Sequence, residues 1–97
     1  LELRRVFGGL LVQQADPAPD EVLTAKLATK QAPTDAQRRA LEFAWRVVKH
    51  VKSNAIVFAA EDRTLAIGGG ATSRVDAVHA AAAKAARVGI SLQGAVL

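Results

Sequence analysis

The sequence predicts an α/β fold in which helices cover a β-sheet, and three observations support this class. Two segments with helical spacing of apolar residues, each opened by a capping-box pattern, alternate with short apolar segments of strand length. One of these segments, residues 55–60, contains no polar residue, which is typical of a strand buried on both faces. The predicted order is β, β, α, β, β, α, β, with helices packed in layers on a mixed sheet.

The first element is predicted to be a buried strand over residues 6–12, which are apolar and β-branched at both ends. The glycine pair Gly8 and Gly9 inside it suggests a bulge or a close approach of another backbone. A loop is expected over residues 13–20, which contain two prolines, followed by a second strand over residues 25–30. Pro33 ends that stretch and introduces a helix.

The first helix is predicted to begin after Thr34 and to run to about Lys52. Thr34 and Gln37 have the spacing of a capping box, in which the hydroxyl and the glutamine side chain each bond the other residue's backbone amide. The apolar residues recur at helical spacing and define the face expected to be buried: Leu41, Ala44, Trp45, Val48 and Val51.

The following two strands are predicted to form a hairpin. Residues 55–60 are the strand buried on both faces, residues 61–63 are a polar turn, and residues 64–67 return as a strand. A connection this short can join only antiparallel neighbours.

The second helix is predicted to start at a capping box formed by Ser73 and Asp76 and to stop at Gly89. Its many alanines allow a close approach to the sheet. Residues 93–97 begin one more strand. The expected buried stripe of the helix is Val75, Val78, Ala82, Ala85 and Val88.

Composition bounds the class of protein. At 97 residues, with 51% hydrophobic and 23% charged residues, the chain has the size and composition of one globular domain. The absence of cysteine excludes a disulfide scaffold and thiolate metal sites, and two histidines, His50 and His79, are too few for a typical zinc site. No apolar run approaches the length of a membrane span, so a soluble, cytoplasmic protein without a membrane partner is expected.

The chain is expected to be a piece of a longer protein. It contains no methionine and stops within an apolar segment at Leu97. A chain of this size buries only about 60% of its unfolded surface, so its own core would be marginal.

The net charge is +4 and the calculated isoelectric point is about 10.1, which suggests an anionic partner. The basic residues are dispersed along the chain. The aromatic residues, which are Phe7, Phe43, Trp45 and Phe58, all lie in apolar contexts and not among exposed cations. Nucleic-acid binding is therefore not expected.

The most informative segment for function is residues 68–74, which contain three glycines and lead into the second helix at Arg74. Turns between a strand and a helix build anion sites, since glycines admit a ligand close to the backbone and the amides of the first helical turn are free. Arg74 could grip a phosphate or carboxylate in a bidentate manner. The alternative, equally supported by spacing alone, is a flexible turn with a solvated arginine.

For the other polar candidates, Asn54, His50 and His79, the sequence pattern favours a structural role over a functional one. Asn54, between the first helix and the buried strand, could hydrogen-bond a ligand, but a helix C-cap is the stronger interpretation. His50 lies beside Lys49, yet adjacent helical residues point about 100° apart, and a cationic group suits the negative end of a helix. His79 is expected on the solvated or partner-facing side of its helix.

Three separated segments, residues 3–13, 47–57 and 68–75, together resemble one enzyme family over essentially the whole chain. It is the bifunctional purine-biosynthesis family that joins AICAR formyltransferase to IMP cyclohydrolase, and the similarity lies in the formyltransferase part. The chain is accordingly interpreted as a single segment, residues 1–97, of that domain.

The resemblance implies a cytidine-deaminase-like three-layer α/β/α fold with a mixed sheet, here only in part and without the deaminase zinc. It implies transfer of a formyl group from the co-substrate 10-formyltetrahydrofolate to AICAR, with no metal, in a homodimer whose active sites are shared. Asn54 matches a substrate-binding asparagine that assists catalysis, Arg74 matches an arginine that contacts the nucleotide, and Val75 matches a position lining the folate site.

The resemblance also implies what this segment lacks. The family's catalytic Lys-His pair belongs to an earlier, duplicated half, so Lys49 and His50 do not inherit that role, and the segment alone is expected to be inactive. Ala71 stands where the family usually has a glutamine, which removes one hydrogen-bonding group beside the ligand loop. The alternative function is a non-catalytic interaction or dimerisation module whose alanine-rich helix packs on a partner.

Overall fold

The computed structural model describes residues 1–17, 22 and 24–97 of the chain and confirms the α/β class. Strands β1 and β2 form one two-stranded sheet, and β3 and β4 form another. Within the described residues every strand pairing is antiparallel, which corrects the expected mixed sheet. Short turns join each pair, and such turns allow only antiparallel neighbours. The elements are β1 (Glu2–Val6), β2 (Gly9–Gln13), α1 (Asp35–Val48), β3 (Ile56–Ala59), β4 (Thr64–Gly68) and α2 (Arg74–Arg87).

The first hairpin replaces the single buried strand expected over residues 6–12. Val6 pairs with Gly9, and the turn between them contains Gly8 with φ of +80°, a conformation that glycine adopts without strain. The glycine pair therefore reverses the chain instead of forming a bulge. Every residue of both strands is exposed, and Phe7 at the turn is fully exposed at 109%.

The prediction of a second strand over residues 25–30 is wrong, since this stretch is irregular and ends in a bend. No strand lies beside it within the described residues. Thr29 Oγ1 donates a hydrogen bond to the backbone carbonyl of Gln31 at 2.8 Å, a local bond of the kind that competes with strand pairing. Of the loop expected over residues 13–20, Gln13 belongs to β2, residues 14–17 are irregular, and residues 18–20 lie outside the described part.

The N-terminus of α1 has the predicted capping box. The Gln37 amide donates to Thr34 Oγ1 at 3.2 Å, and the Thr34 amide donates to Gln37 Oε1 at 2.9 Å. The helix ends at Val48, four residues before the predicted end, because the next amides bond carbonyls three residues back and tighten the last turn. Trp45, predicted to be buried, is 46% exposed, and the buried residues are Ala40 and Ala44.

Replacing Thr34 with alanine is expected to lower the free energy of unfolding by about 1 kcal/mol, since the cap of α1 loses its acceptor. Equilibrium urea unfolding of the chain measures the change. Thr34→Ser keeps the hydroxyl and is the matched control, expected to stay within roughly 0.5 kcal/mol of the parent. Equal losses in both variants would contradict the assignment of stability to this bond.

The two helices lie on opposite faces of the β3–β4 hairpin. Val57 and Ala59 pack with Ala44 of α1, whereas Phe58 packs with the alanines of α2. Since successive strand residues point to opposite faces, this alternation places the hairpin between two helical layers. The sequence prediction that helices cover a sheet is confirmed for this part of the chain.

The buried stripe of α2 consists of Ala77, Ala81 and Ala85. The predicted stripe was wrong at Val75 and Val88, which are both 62% exposed. The observed spacing of four residues follows one helix face, and these small side chains let α2 approach the sheet closely. The helix ends as predicted, with Val88 as its C-cap and φ of +73° at Gly89.

The strand expected over residues 93–97 is reduced to one bridge. Val96 and Ala59 exchange two backbone hydrogen bonds of 3.0 and 3.1 Å. The bridge is antiparallel and lies on the edge of β3 away from β4, so it extends the central hairpin by a single residue pair.

An exposed ion pair connects α1 to the turn between β3 and β4. Arg39 Nε donates to Glu61 Oε2 at 2.6 Å, and this hydrogen bond, with the charge of Glu61, raises the pKa of Arg39 above its ordinary value. Because water screens both side chains, the pair contributes little to stability.

Candidate functional site

The candidate site is the place where residues 52–54 meet the glycine loop, residues 68–73. The Gly70 amide donates to the Lys52 carbonyl at 2.6 Å. Asn54 and Ala71 exchange two backbone hydrogen bonds of 3.1 and 3.3 Å. These segments precede β3 and follow β4, so the site lies at the open end of the central hairpin, away from its turn.

The Asn54 side chain adds to this connection. Its Nδ2 donates to the carbonyl oxygens of Ala71 and Thr72, both at 3.2 Å. The C-cap of α1 is Lys49, five residues earlier, so the interpretation of Asn54 as a helix cap is wrong. Asn54 instead holds the loop that leads into α2.

Each of the three glycines of the loop is required for a different structural reason. A Cβ on Gly68 would collide with the backbone carbonyl of Ala77 in α2, and a Cβ on Gly69 would lie 2.5 Å from Val51 Cγ1. Gly70 has φ of +66°, which favours glycine. The glycine run is therefore explained by close packing within the chain, and its presence alone is not evidence for a ligand.

Arg74 and Val75 are the first two residues of α2, and both are exposed. Among the described residues the Arg74 guanidinium has no hydrogen-bond or ion-pair partner. Thr72, whose carbonyl accepts from Asn54, is only two residues before Arg74. The structure thus brings Asn54 to the same end of the sheet as the segment that carries Arg74 and Val75.

The N-terminus of α2 already has a carboxylate. The Asp76 amide donates to Ser73 Oγ at 3.1 Å, which confirms Ser73 as the N-cap. The Asp76 carboxylate accepts hydrogen bonds from Ser73 Oγ at 2.7 Å and from Thr72 Oγ1 at 3.4 Å. An anionic ligand at this helix end would meet a negative neighbour, so it would depend on nearby cations.

Sequence reasoning did not consider Lys52 as a site residue. A Cβ built on Gly70 would lie 3.7 Å from Lys52 Cδ, so the lysine side chain runs along the glycine loop. Its position two residues before Asn54 was the available signal, but only the fold shows that it reaches this loop.

The other candidates lie elsewhere. His50 and His79 are both exposed, and among the described residues neither side chain hydrogen-bonds the loop. In the described ranges, no three His, Cys, Asp or Glu side chains are grouped so that they could hold a metal ion. The helices of these ranges are all too short or too polar to cross a bilayer.

An open cavity of about 590 Å³ lies between the irregular residues 25–33 and the start of α1. Its lining includes Lys26, Gln37, Arg38 and Leu41. Neither Asn54 nor Arg74 lines it, so the candidate site is an exposed surface and not part of this cavity.

Comparison with known proteins finds relatives that match nearly the whole chain. Residues 1–84 match the family model described as AICARFT/IMPCHase bienzyme, a range that includes Lys52, Asn54, Arg74 and Val75. A relative from Chloroflexus aurantiacus, named bifunctional purine biosynthesis protein PurH, is 58% identical over 96 residues, which are 99% of this chain and 19% of the relative.

Proteins of the same name from two other bacteria agree. The one from Anaeromyxobacter dehalogenans is 58% identical over 85 residues, covering 88% of this chain and 16% of the relative. The one from Bradyrhizobium diazoefficiens is 50% identical over 93 residues, which cover 96% of this chain and 18% of the relative. The chain thus spans about a fifth of the length of the curated relatives it matches. The resemblance seen in the sequence is confirmed, and the chain belongs to the AICARFT/IMPCHase bienzyme family.

Proposed function

We propose that this chain is one segment of an AICAR formyltransferase domain and supplies part of its ligand-binding surface. The reaction is transfer of a formyl group from 10-formyltetrahydrofolate to the amino group of AICAR, in purine biosynthesis. The observation that best supports this role is the pair of hydrogen bonds from Asn54 to the loop leading into Arg74. The two residues that the resemblance matches to substrate-binding positions, Asn54 and Arg74, thereby lie on connected segments.

Arg74 is proposed to bind the nucleotide. Its guanidinium is exposed, has no partner within the described part of the chain, and presents donors suited to a phosphate or a carboxamide oxygen. Because a guanidinium offers several N–H donors and no acceptor, its contribution is to position the acceptor substrate. Val75, the next residue, is exposed and is proposed to face the folate.

Asn54 is proposed to position both the loop and the substrate. Its two amide hydrogens bond the carbonyls of Ala71 and Thr72, which leaves Oδ1 as the atom able to face a ligand. Because Oδ1 accepts hydrogen bonds, it can bind the N–H groups of the AICAR carboxamide but not the formyl oxygen, which is itself an acceptor. Asn54 would therefore assist catalysis by orienting the acceptor.

The remaining chemistry is proposed to come from outside these residues. Residues 54–74 contain no histidine, and the one carboxylate bonded at the start of α2, that of Asp76, accepts hydrogen bonds from Ser73 and Thr72. A complete site would need other parts of a longer cytidine-deaminase-like domain, with a second subunit of a homodimer contributing to the shared cleft. No metal ion takes part in this proposal.

A chimera tests the proposed function. This chain replaces the matching segment of the Chloroflexus aurantiacus relative, to which it is 58% identical. We expect the chimera to transfer the formyl group from 10-formyltetrahydrofolate to AICAR, measured by release of tetrahydrofolate. A chimera that is folded by circular dichroism and of parental size in sedimentation, but inactive, would contradict the proposal.

A non-catalytic interaction module is the second candidate, and the first hairpin favours it. Its apolar side chains are exposed, and neither strand packs extensively on another of the helices and strands that the structure describes. The alanine-rich face of α2, suggested as the partner surface, instead packs on the sheet of the same chain. A stable dimer of the chain, together with an inactive chimera, would favour this candidate.

A further inference from the structure

We propose that Lys52 is a second cation of the ligand site, acting beside Arg74 to bind an anionic group of a substrate. That group is a phosphate or a carboxylate, from either the nucleotide or the glutamate tail of the folate. The inference rests on the proposed function and adds a specificity-determining residue to it.

The backbone of Lys52 is held against the glycine loop. Its carbonyl accepts from the Gly70 amide at 2.6 Å, and a Cβ on Gly69 would lie 3.3 Å from the same oxygen. The side chain follows the loop, since a Cβ on Gly70 would be 3.7 Å from Lys52 Cδ. The ammonium nitrogen is two bonds beyond that carbon, so it lies within a few ångströms of Gly70.

The Lys52 ammonium is free to bind a ligand. It is exposed and has no hydrogen bond or ion pair with any residue that the structure describes. Lys84 is different, because its Nζ donates to the Ile67 carbonyl at 3.1 Å and is used within the fold. The backbone of Lys52 is thus held beside the loop, while its charged group has no partner among the described residues.

Charge balance gives Lys52 a reason to act with Arg74. The Asp76 carboxylate, bonded to Ser73 and Thr72, opposes any anion at the start of α2. Arg74 alone would only offset this charge, whereas two cations leave the surface positive. An ammonium adds a point charge and an arginine adds paired donors, a combination suited to a phosphate or a carboxylate.

The test uses the chimera described above with Lys52→Met, and with Lys49→Met as the matched control. Lys49 is also exposed and loses the same charge, but it is not among the atoms nearest to a Cβ on Gly68, Gly69 or Gly70. We expect Lys52→Met to raise the KM of one co-substrate roughly tenfold, the size of one charged hydrogen bond, with kcat changed by less than about twofold. Lys52→Arg should restore most of the loss.

Altered substrates identify which anion is bound. If Lys52 binds the nucleotide phosphate, the variant and the parent will use the acceptor nucleoside, which lacks that phosphate, with equal KM. If it binds the folate tail, the increase will appear with polyglutamyl and be smaller with monoglutamyl 10-formyltetrahydrofolate.

The proposal is overturned if Lys52→Met behaves like Lys49→Met. It is also overturned if KM rises equally for the nucleotide and the nucleoside and for both folates, since the residue would then act only through loop structure. In both cases the parent chimera still transfers the formyl group, and the proposed function survives. If the parent chimera has no transfer activity, both the proposed function and the proposed role of Lys52 are contradicted.

Discussion

Replacing Gly68 with alanine is expected to lower the free energy of unfolding by about 3 kcal/mol, at the upper end of the range for overpacking. The added Cβ would collide with the backbone carbonyl oxygen of Ala77 and lie 2.8 Å from its carbonyl carbon. A flexible side chain could rotate away, but a helix backbone cannot. The whole of α2 would have to move from β4, loosening the contacts of Ala81 and Ala85 with Phe58.

Urea unfolding of the chain measures this loss, and Gly9→Ala is the matched control. Gly9 also lies in a strand, has no positive φ, and has no atom within 4 Å of a built Cβ. Its replacement is expected to change stability by less than roughly 0.5 kcal/mol. If the two variants were equally stable, the close approach of α2 to β4 would not be needed for the fold.

Replacing Arg74 with alanine in the chimera is expected to raise the KM for AICAR roughly 10- to 100-fold, with a smaller effect on kcat. The guanidinium is exposed at the first residue of α2 and has no partner within the described part of the chain, so its removal costs the fold little. The loss would come from binding, since a bidentate contact to an anion or carboxamide disappears. Steady-state kinetics with AICAR as the varied substrate measures it.

Arg87→Ala controls for the loss of a positive charge from α2. Arg87 is exposed in the last turn of the same helix, at the end away from the candidate site. We expect its KM for AICAR to stay within about twofold of the parent, as for a typical surface substitution. An unchanged KM in Arg74→Ala would contradict the nucleotide-binding role.

The elements with strong local signals could be predicted from the sequence. Thr34 and Ser73 specify where the helices start, through hydroxyl groups that bond the amides of the first turn. The short polar turn at residues 61–63 makes β3 and β4 antiparallel whatever surrounds them. Gly89 ends α2, since a residue with positive φ follows its C-cap.

Elements without such signals were predicted wrongly. The glycine pair at Gly8 and Gly9 fits a bulge or a turn, and the apolar residues around it do not indicate whether a core covers them. Residues 25–30 contain one β-branched residue, Thr29, and have no neighbouring strand in the described structure. Pairing and burial depend on distant parts of the chain, which a local pattern does not contain.

For the candidate site, too, the sequence supplied some of the information and the structure supplied the rest. Local patterns marked Arg74 and Asn54 as candidates, the family resemblance added Val75 and the specific roles, and those roles are predictions for the experiments above. The structure adds that Asn54 bonds the glycine loop and that Lys52 runs along it. The segments carrying Lys52 and Gly70 are far apart in sequence and meet only because β3 and β4 pair.

By itself, the sequence determined the α/β class, both helices, the central hairpin and the family, because caps, turns and motifs act over a few residues. Only the tertiary structure decided which alanines of α2 are buried, why Gly68 and Gly69 must be glycines, and which cations lie at the loop. Those outcomes depend on how closely backbones distant in sequence approach each other, and packing sets that distance.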